Sequence, residues 1–89
     1  MLAGRTHVIV AVAGRVVRVR SRASGGWRLR LADTGGALAA AEIRLSNPLP
    51  LPPIGARIIL RGQLRYDEEH GWYAVDPVEG WLDARTTRY

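Results

Sequence analysis

The chain contains no cysteine, no lysine and no phenylalanine, and only two histidines. Without thiols it can form neither disulfides nor thiolate metal sites, and it has no thiol nucleophile. His7 and His70 stand far apart in the sequence, and no spacing supplies the three or four convergent ligands that a metal site needs. No apolar run approaches the roughly 20 residues that span a bilayer. The start, Met1 to His7, lacks the succession of basic, apolar and small-residue regions that marks a signal peptide. These absences predict a cytoplasmic protein without a membrane span.

What is present is the composition of one globular domain, spanning residues 1–89. Of these residues 47% are hydrophobic and 24% charged. At this size a single core is marginal, so every apolar alternation is needed for burial. All 13 basic side chains are arginine, and the formal net charge is +5. The charge is unevenly distributed: Asp33 and Glu42 are the only acids before Asp67, whereas Asp67, Glu68, Glu69, Asp76, Glu79 and Asp83 crowd the last quarter. Guanidinium groups favour planar, forked contacts with phosphate or carboxylate, although GC-rich coding or a hot habitat would bias composition the same way.

Alternation along the chain predicts five strands and no helix. Val8, Val10 and Val12 alternate with Ile9 and Ala11, Gly14 interrupts, and Val17 and Val19 then alternate with Arg18 and Arg20. That is one long strand with a bend or bulge at Gly14 and a shift of phase after it. After a loop at residues 21–26, Trp27, Leu29 and Leu31 form an apolar inward face, with Arg28 and Arg30 pointing outward. Asp33-Thr34-Gly35-Gly36 is a tight turn in which Asp33 caps its own backbone. A third strand covers Ala37 to Leu45, with Leu38, Ala40 and Glu42 on its outer phase. Residues 46–53 contain four prolines and form a stiff connection. A fourth strand runs from Ile54 to Tyr66 with a bend at Gly62, and a fifth from Trp72 to Val75, ended by Asp76-Pro77. Five strands bent at glycines suit a small closed or partly open barrel over residues 6–78, with residues 79–89 as an extension.

Three stretches then resemble an OB-fold domain of the anticodon-binding and single-strand-binding type. They are Val12-Ala13-Gly14-Arg15-Val16, Leu29-Arg30-Leu31-Ala32-Asp33-Thr34-Gly35, and Gly55 followed by Gly62. A fainter likeness joins Asp76-Pro77, Gly80-Trp81 and Tyr89 to an uncharacterised group of small bacterial OB-like domains, whose histidines around Asp-Pro are absent here. The resemblance implies an all-β Greek-key barrel, in which the proline-rich connection replaces the helix between strands three and four and Leu49, Leu51 and Ile54 plug the barrel. It also implies a ligand lying across strands two and three, between the loop joining strands one and two and the loop joining strands four and five.

On that face the strand phases place Arg18, Arg20, Arg22, Arg28, Arg30, Arg44, Arg61 and Arg65 as a basic stripe able to track a single-stranded backbone. Tyr66, Trp72 and Tyr73 are the candidate base-stacking groups, and Trp27 belongs to the core by its phase. The acidic turn Asp67-Glu68-Glu69 would repel phosphate there, so backbone contacts should dominate over base reading. Its residues and His70 should point apart as neighbours in a tight turn, not gather as a metal cluster. Trp81 and Leu82 are expected to pack over an open barrel end. No serine has a base at motif distance and no phosphate loop with lysine is present, which argues against an enzyme; no cofactor or metal is expected. The expectation is therefore a single-stranded DNA- or RNA-binding module, acting alone or within a larger nucleic-acid-processing complex. The competing expectation is an interaction module that pairs its basic face with an acidic patch, on another protein or on a second copy as a homo-oligomer.

Overall fold

In the computed structural model, described over residues 8–84, the five expected strands close into a barrel. They are β1 (Ile9–Ser21), β2 (Trp27–Ala32), β3 (Leu38–Ile43), β4 (Arg57–Asp67) and β5 (Trp72–Asp83). The order around the barrel is β1-β2-β3-β5-β4, with β4 returning to β1. All neighbours are antiparallel except β3 and β5, which run parallel. This is the arrangement of a small OB-like Greek-key barrel, whose closure leaves no sheet edge exposed. No described helix is long and apolar enough to cross a membrane.

The interior is filled by Val16, Leu29, Leu31, Ala41, Ile43, Ile58, Leu60, Val75 and Val78, contributed by every strand. Val10, Val12 and Val19 pack against this core, as the alternation predicts. The phase shift in β1 lies elsewhere than expected. Gly14 stays in the inward phase beside β2, and the register slips between Val16 and Arg18. Val17 is the extra residue: it is exposed, and Val16 takes the core position. The bulge has a direct consequence for the surface. Arg15 and Arg18 are three residues apart and would face opposite ways in a regular strand, but with one residue looped out both point outward.

β5 is longer than the sequence implies. It continues through Asp76-Pro77 to Asp83, so part of the expected extension is barrel wall. Proline cannot donate to a ladder, and Pro77 sits where the pairing of β4 with β5 is already irregular, around Gly62. Trp81 packs against the core and donates its indole N–H to the Pro50 carbonyl at 2.7 Å, which fixes the proline-rich connection. Leu82, expected beside it, is exposed. The plug also differs: Leu49 packs on the core and Pro52 is fully buried, whereas Leu51 and Ile54 face solvent.

The turns follow the expected chemistry. Asp33 Oδ1 accepts the N–H groups of Gly35 at 2.8 Å and Ala37 at 2.9 Å. In the β4–β5 turn, Asp67 accepts the N–H groups of Glu69 at 3.0 Å and His70 at 3.3 Å, and its second oxygen lies 2.7 Å from His70 Nδ1. These bonds draw the ligand atoms of Asp67, Glu69 and His70 within 4.8 Å of one another, where divergent side chains were expected. The His70 side chain first, and the backbone donors after it, hold the Asp67 carboxyl below its ordinary value. The stabilisation is therefore complete above the unfolded-state value of about 3.9 and is lost as pH falls through the lower folded value. An NMR titration of Asp67 should show its midpoint below 3.9; a midpoint at or above that value would mean that the His70 contact does not form in solution.

Candidate functional site

Cross-strand register arranges the outward side chains of all five strands in rows. One row runs Arg20, Arg28, Glu42, the next Arg18, Arg30, Ala40, Ala74, Arg65, and a third Arg57, Arg15, Ala32, Leu38. Rows are two residues apart, about 6.6 Å along a strand. Five of the eight expected arginines stand in these rows, and Arg22 and Arg44 join them through Glu42 and Asp76 to make seven. Arg61 does not: it lies 3.9 Å from Glu79 in a separate groove lined by Ala11, Ile59, Trp81 and Leu82.

The seven fall into two groups. On the β2–β3–β5 part of the face, two buried carboxylates hold four guanidinium groups. Glu42, 4% exposed, takes the Nε of Arg22 at 2.7 Å on one oxygen and the Nε of Arg28 at 3.1 Å on the other. Asp76, 7% exposed, accepts two bonds from Arg44, at 2.6 and 2.7 Å, and lies 3.8 Å from Arg65. The bidentate bond to Asp76 is the main cause that raises Arg44 further above its ordinary value. Buried carboxylates are tolerated when paired and hydrogen-bonded in this way. The groove above them brings four guanidinium groups against five carboxylates: Glu42 and Asp76 at its floor, and Asp67, Glu68 and Glu69 from the β4–β5 turn. Across strands two and three, where the resemblance implies a ligand path, there is no excess positive charge.

Along β1 the situation is reversed. Among the described residues, no carboxylate lies within 4.0 Å of Arg15, Arg18, Arg20 or Arg57. The β1 arginines stand in three successive cross-strand pairs of like charge, Arg15 with Arg57, Arg18 with Arg30 and Arg20 with Arg28. Among the described residues, Arg28 alone of these six has an ion-pair partner, and Arg30 lies over the Trp72 ring, 4.1 Å from its centroid.

The aromatic residues depart from expectation more than the arginines do. Trp27 is 38% exposed: its phase is inward, but it stands at the rim of the barrel, opposite Ser21 and Ile43, beyond the depth at which the core closes. Trp72 is outward, yet its π surface is engaged by Arg30 and by the His70 ring, stacked 4.8 Å away at 7°. Tyr66 and Tyr73 pair across β4 and β5 at 5.0 Å in an edge-on contact and remain 49% and 63% exposed. Sequence reasoning missed Arg15 and Arg57 as members of the stripe, because the bulge at Val17 that aligns Arg15 is invisible in the alternation. It also missed Glu42 and Asp76 as anchors, although both are carboxylates inside strands, where acids are rare.

No protein-family model matches the chain, and no curated protein matches it in sequence.

Proposed function

We propose that the protein is a nucleic-acid-binding OB-type module that holds the phosphates of a single strand of DNA or RNA along β1. The observation that carries this reading is the run of three like-charged cross-strand pairs on one strand face. Like charges directly opposite one another destabilise a sheet, by an amount comparable to the 0.2–1 kcal/mol that favourable pairs contribute. Among the described residues, the one carboxylate within 4.0 Å of any of these six arginines is Glu42, on Arg28 at the edge of the face. A bound polyanion would offset that cost, and a repeat of about 6.6 Å is close to the spacing of phosphates in an extended strand. Contact is then mainly from guanidinium to phosphate, and the exposed Tyr66–Tyr73 pair, one residue out of phase with Arg65 and Ala74, offers limited stacking at the barrel rim.

Titrating a single-stranded oligonucleotide of mixed sequence, followed by tryptophan fluorescence between 50 and 200 mM salt, tests the reading. Three to five phosphate contacts predict a log–log slope of about −2 to −3.5. Absence of association at 50 mM salt with both DNA and RNA would overturn it. A salt-sensitive oligomer that forms without nucleic acid, seen by light scattering, would favour the interaction module.

A further inference from the structure

At the end of the β1 stripe, the loop joining β1 to β2 and the β4–β5 turn enclose a cleft lined by Arg20, Arg22, Arg28, Ser21, Ser24 and, on the opposite wall, Glu69 and His70. We infer that this cleft takes a terminal phosphate monoester, the phosphorylated end of a strand whose internal phosphates lie along β1. The inference rests on the proposed function and adds to it a preference for one kind of strand end.

The chemistry of the cleft differs from that of the stripe. An internal phosphodiester carries one negative charge, and one arginine pair per step is enough to meet it. A terminal monoester carries close to two charges and three acceptor oxygens. Three arginines, with Ser24 in the loop beside them, line one cleft and match that larger demand. Two of the guanidiniums are already fixed. Arg22 and Arg28 use their Nε atoms on the two oxygens of Glu42, and Arg22 Nη1 donates to the Gly25 carbonyl at 3.2 Å. Among the described residues, Nη2 of Arg22 and both Nη groups of Arg28 make no hydrogen bond, which leaves them to a ligand at little cost in side-chain ordering. Glu42 is thus a positioning residue for the cleft. Arg20 stands opposite Arg28 and is tied to no carboxylate among the described residues. Two carboxylates oppose the three guanidiniums, Glu42 beneath Arg22 and Arg28 and Glu69 on the cleft wall, which leaves a net charge of one; Glu69→Gln should strengthen binding of a phosphorylated end.

The test compares one oligonucleotide in three forms at 0.15 M salt: with a 5′-phosphate, with a 3′-phosphate, and with both ends hydroxyl, the fluorophore always on the end not being compared. One phosphorylated form should bind about tenfold tighter than the hydroxyl form, as expected for several charge-assisted hydrogen bonds. Which form does so gives the polarity of the strand on β1. Arg22→Gln should reduce the preference below about threefold with little change for the hydroxyl form. Ser24→Ala, in an exposed loop where folding is not at stake, should reduce it in the same direction. Arg15→Gln should weaken all three forms equally and leave the ratio unchanged, which separates a cleft from a general response to added charge. If the hydroxyl form binds but neither phosphate adds more than about twofold, the cleft is not a phosphate site and the stripe alone binds. If no form binds, the stripe reading fails and the cleft falls with it.

Discussion

Replacing Arg15, Arg18 and Arg20 together by glutamine is expected to weaken binding of a single-stranded oligonucleotide about fiftyfold at 0.15 M salt, while the barrel stays folded. Each phosphate contact contributes a factor that varies as roughly the −0.7 power of salt concentration, about fourfold at 0.15 M. Three lost contacts therefore remove about fiftyfold, and several hundredfold at 0.05 M, and the log–log slope should become shallower by about 2. The effect on stability should have the opposite sign. Each substitution removes one member of a like-charged cross-strand pair, so relief of about 0.2–1 kcal/mol per pair is expected and the Tm should hold or rise. Arginines retained at a cost to the fold are the mark of a ligand surface. A triple variant that loses more than about 1 kcal/mol would show that these side chains hold the barrel together, and the stripe would then need no ligand to explain it. Arg28→Gln is the internal contrast. Arg28 is already bound to Glu42, so its loss should change the slope by less than one full contact, about 0.7.

That contrast shows where the sequence is legible and where it is not. Strand direction can be read from parity: Leu29 and Leu31 point inward, and Arg28 and Arg30 outward, as alternation requires. Depth cannot. Trp27 shares the parity of Leu29 but stands at the rim, because the stagger of strands around a closed barrel decides which inward residues reach the core, and stagger is a property of the whole sheet. Pairing is invisible for a similar reason. Glu42 is 14 residues from Arg28, and Asp76 is 32 from Arg44. What brings Asp76 to Arg44 is the parallel pairing of β3 with β5, a long-range contact that no local pattern encodes. The arginine content was plain, but how the arginines divide between carboxylate-bound and unpaired follows only from topology. The division moves the candidate site from the face of strands two and three onto β1.

Gly62→Ala is expected to destabilise the barrel by about 3 kcal/mol, the upper range for overpacking a close-packed site, and to lower the Tm by about 12–24 °C. Gly62 pairs with Val10 on one side and Val78 on the other, where β4 is pressed between β1 and β5 and its register with β5 shifts. A Cβ there would run into the Pro77 carbonyl oxygen, and would lie 2.7 Å from Val75 Cγ1 and 3.0 Å from Val78 Cα. Val75 and Val78 are core residues, and the obstructing Pro77 and Val78 atoms are backbone, so none can yield without moving β5. Gly80, further along β5, is the control: a Cβ there meets nothing within 4 Å, and Gly80→Ala should leave the Tm nearly unchanged. The same crossing also governs the surface. Asp76 immediately precedes Pro77, and the placement of this stretch of β5 allows Asp76 to hold Arg44 and Arg65. Loosening it should release those two guanidiniums, so that any Gly62→Ala protein still folded at low temperature should bind polyanions with a steeper salt dependence than the parent. A Tm within a few degrees of the parent would show that β5 can shift at little cost, and that the close approach at Gly62 is not what fixes Asp76 beneath the arginines.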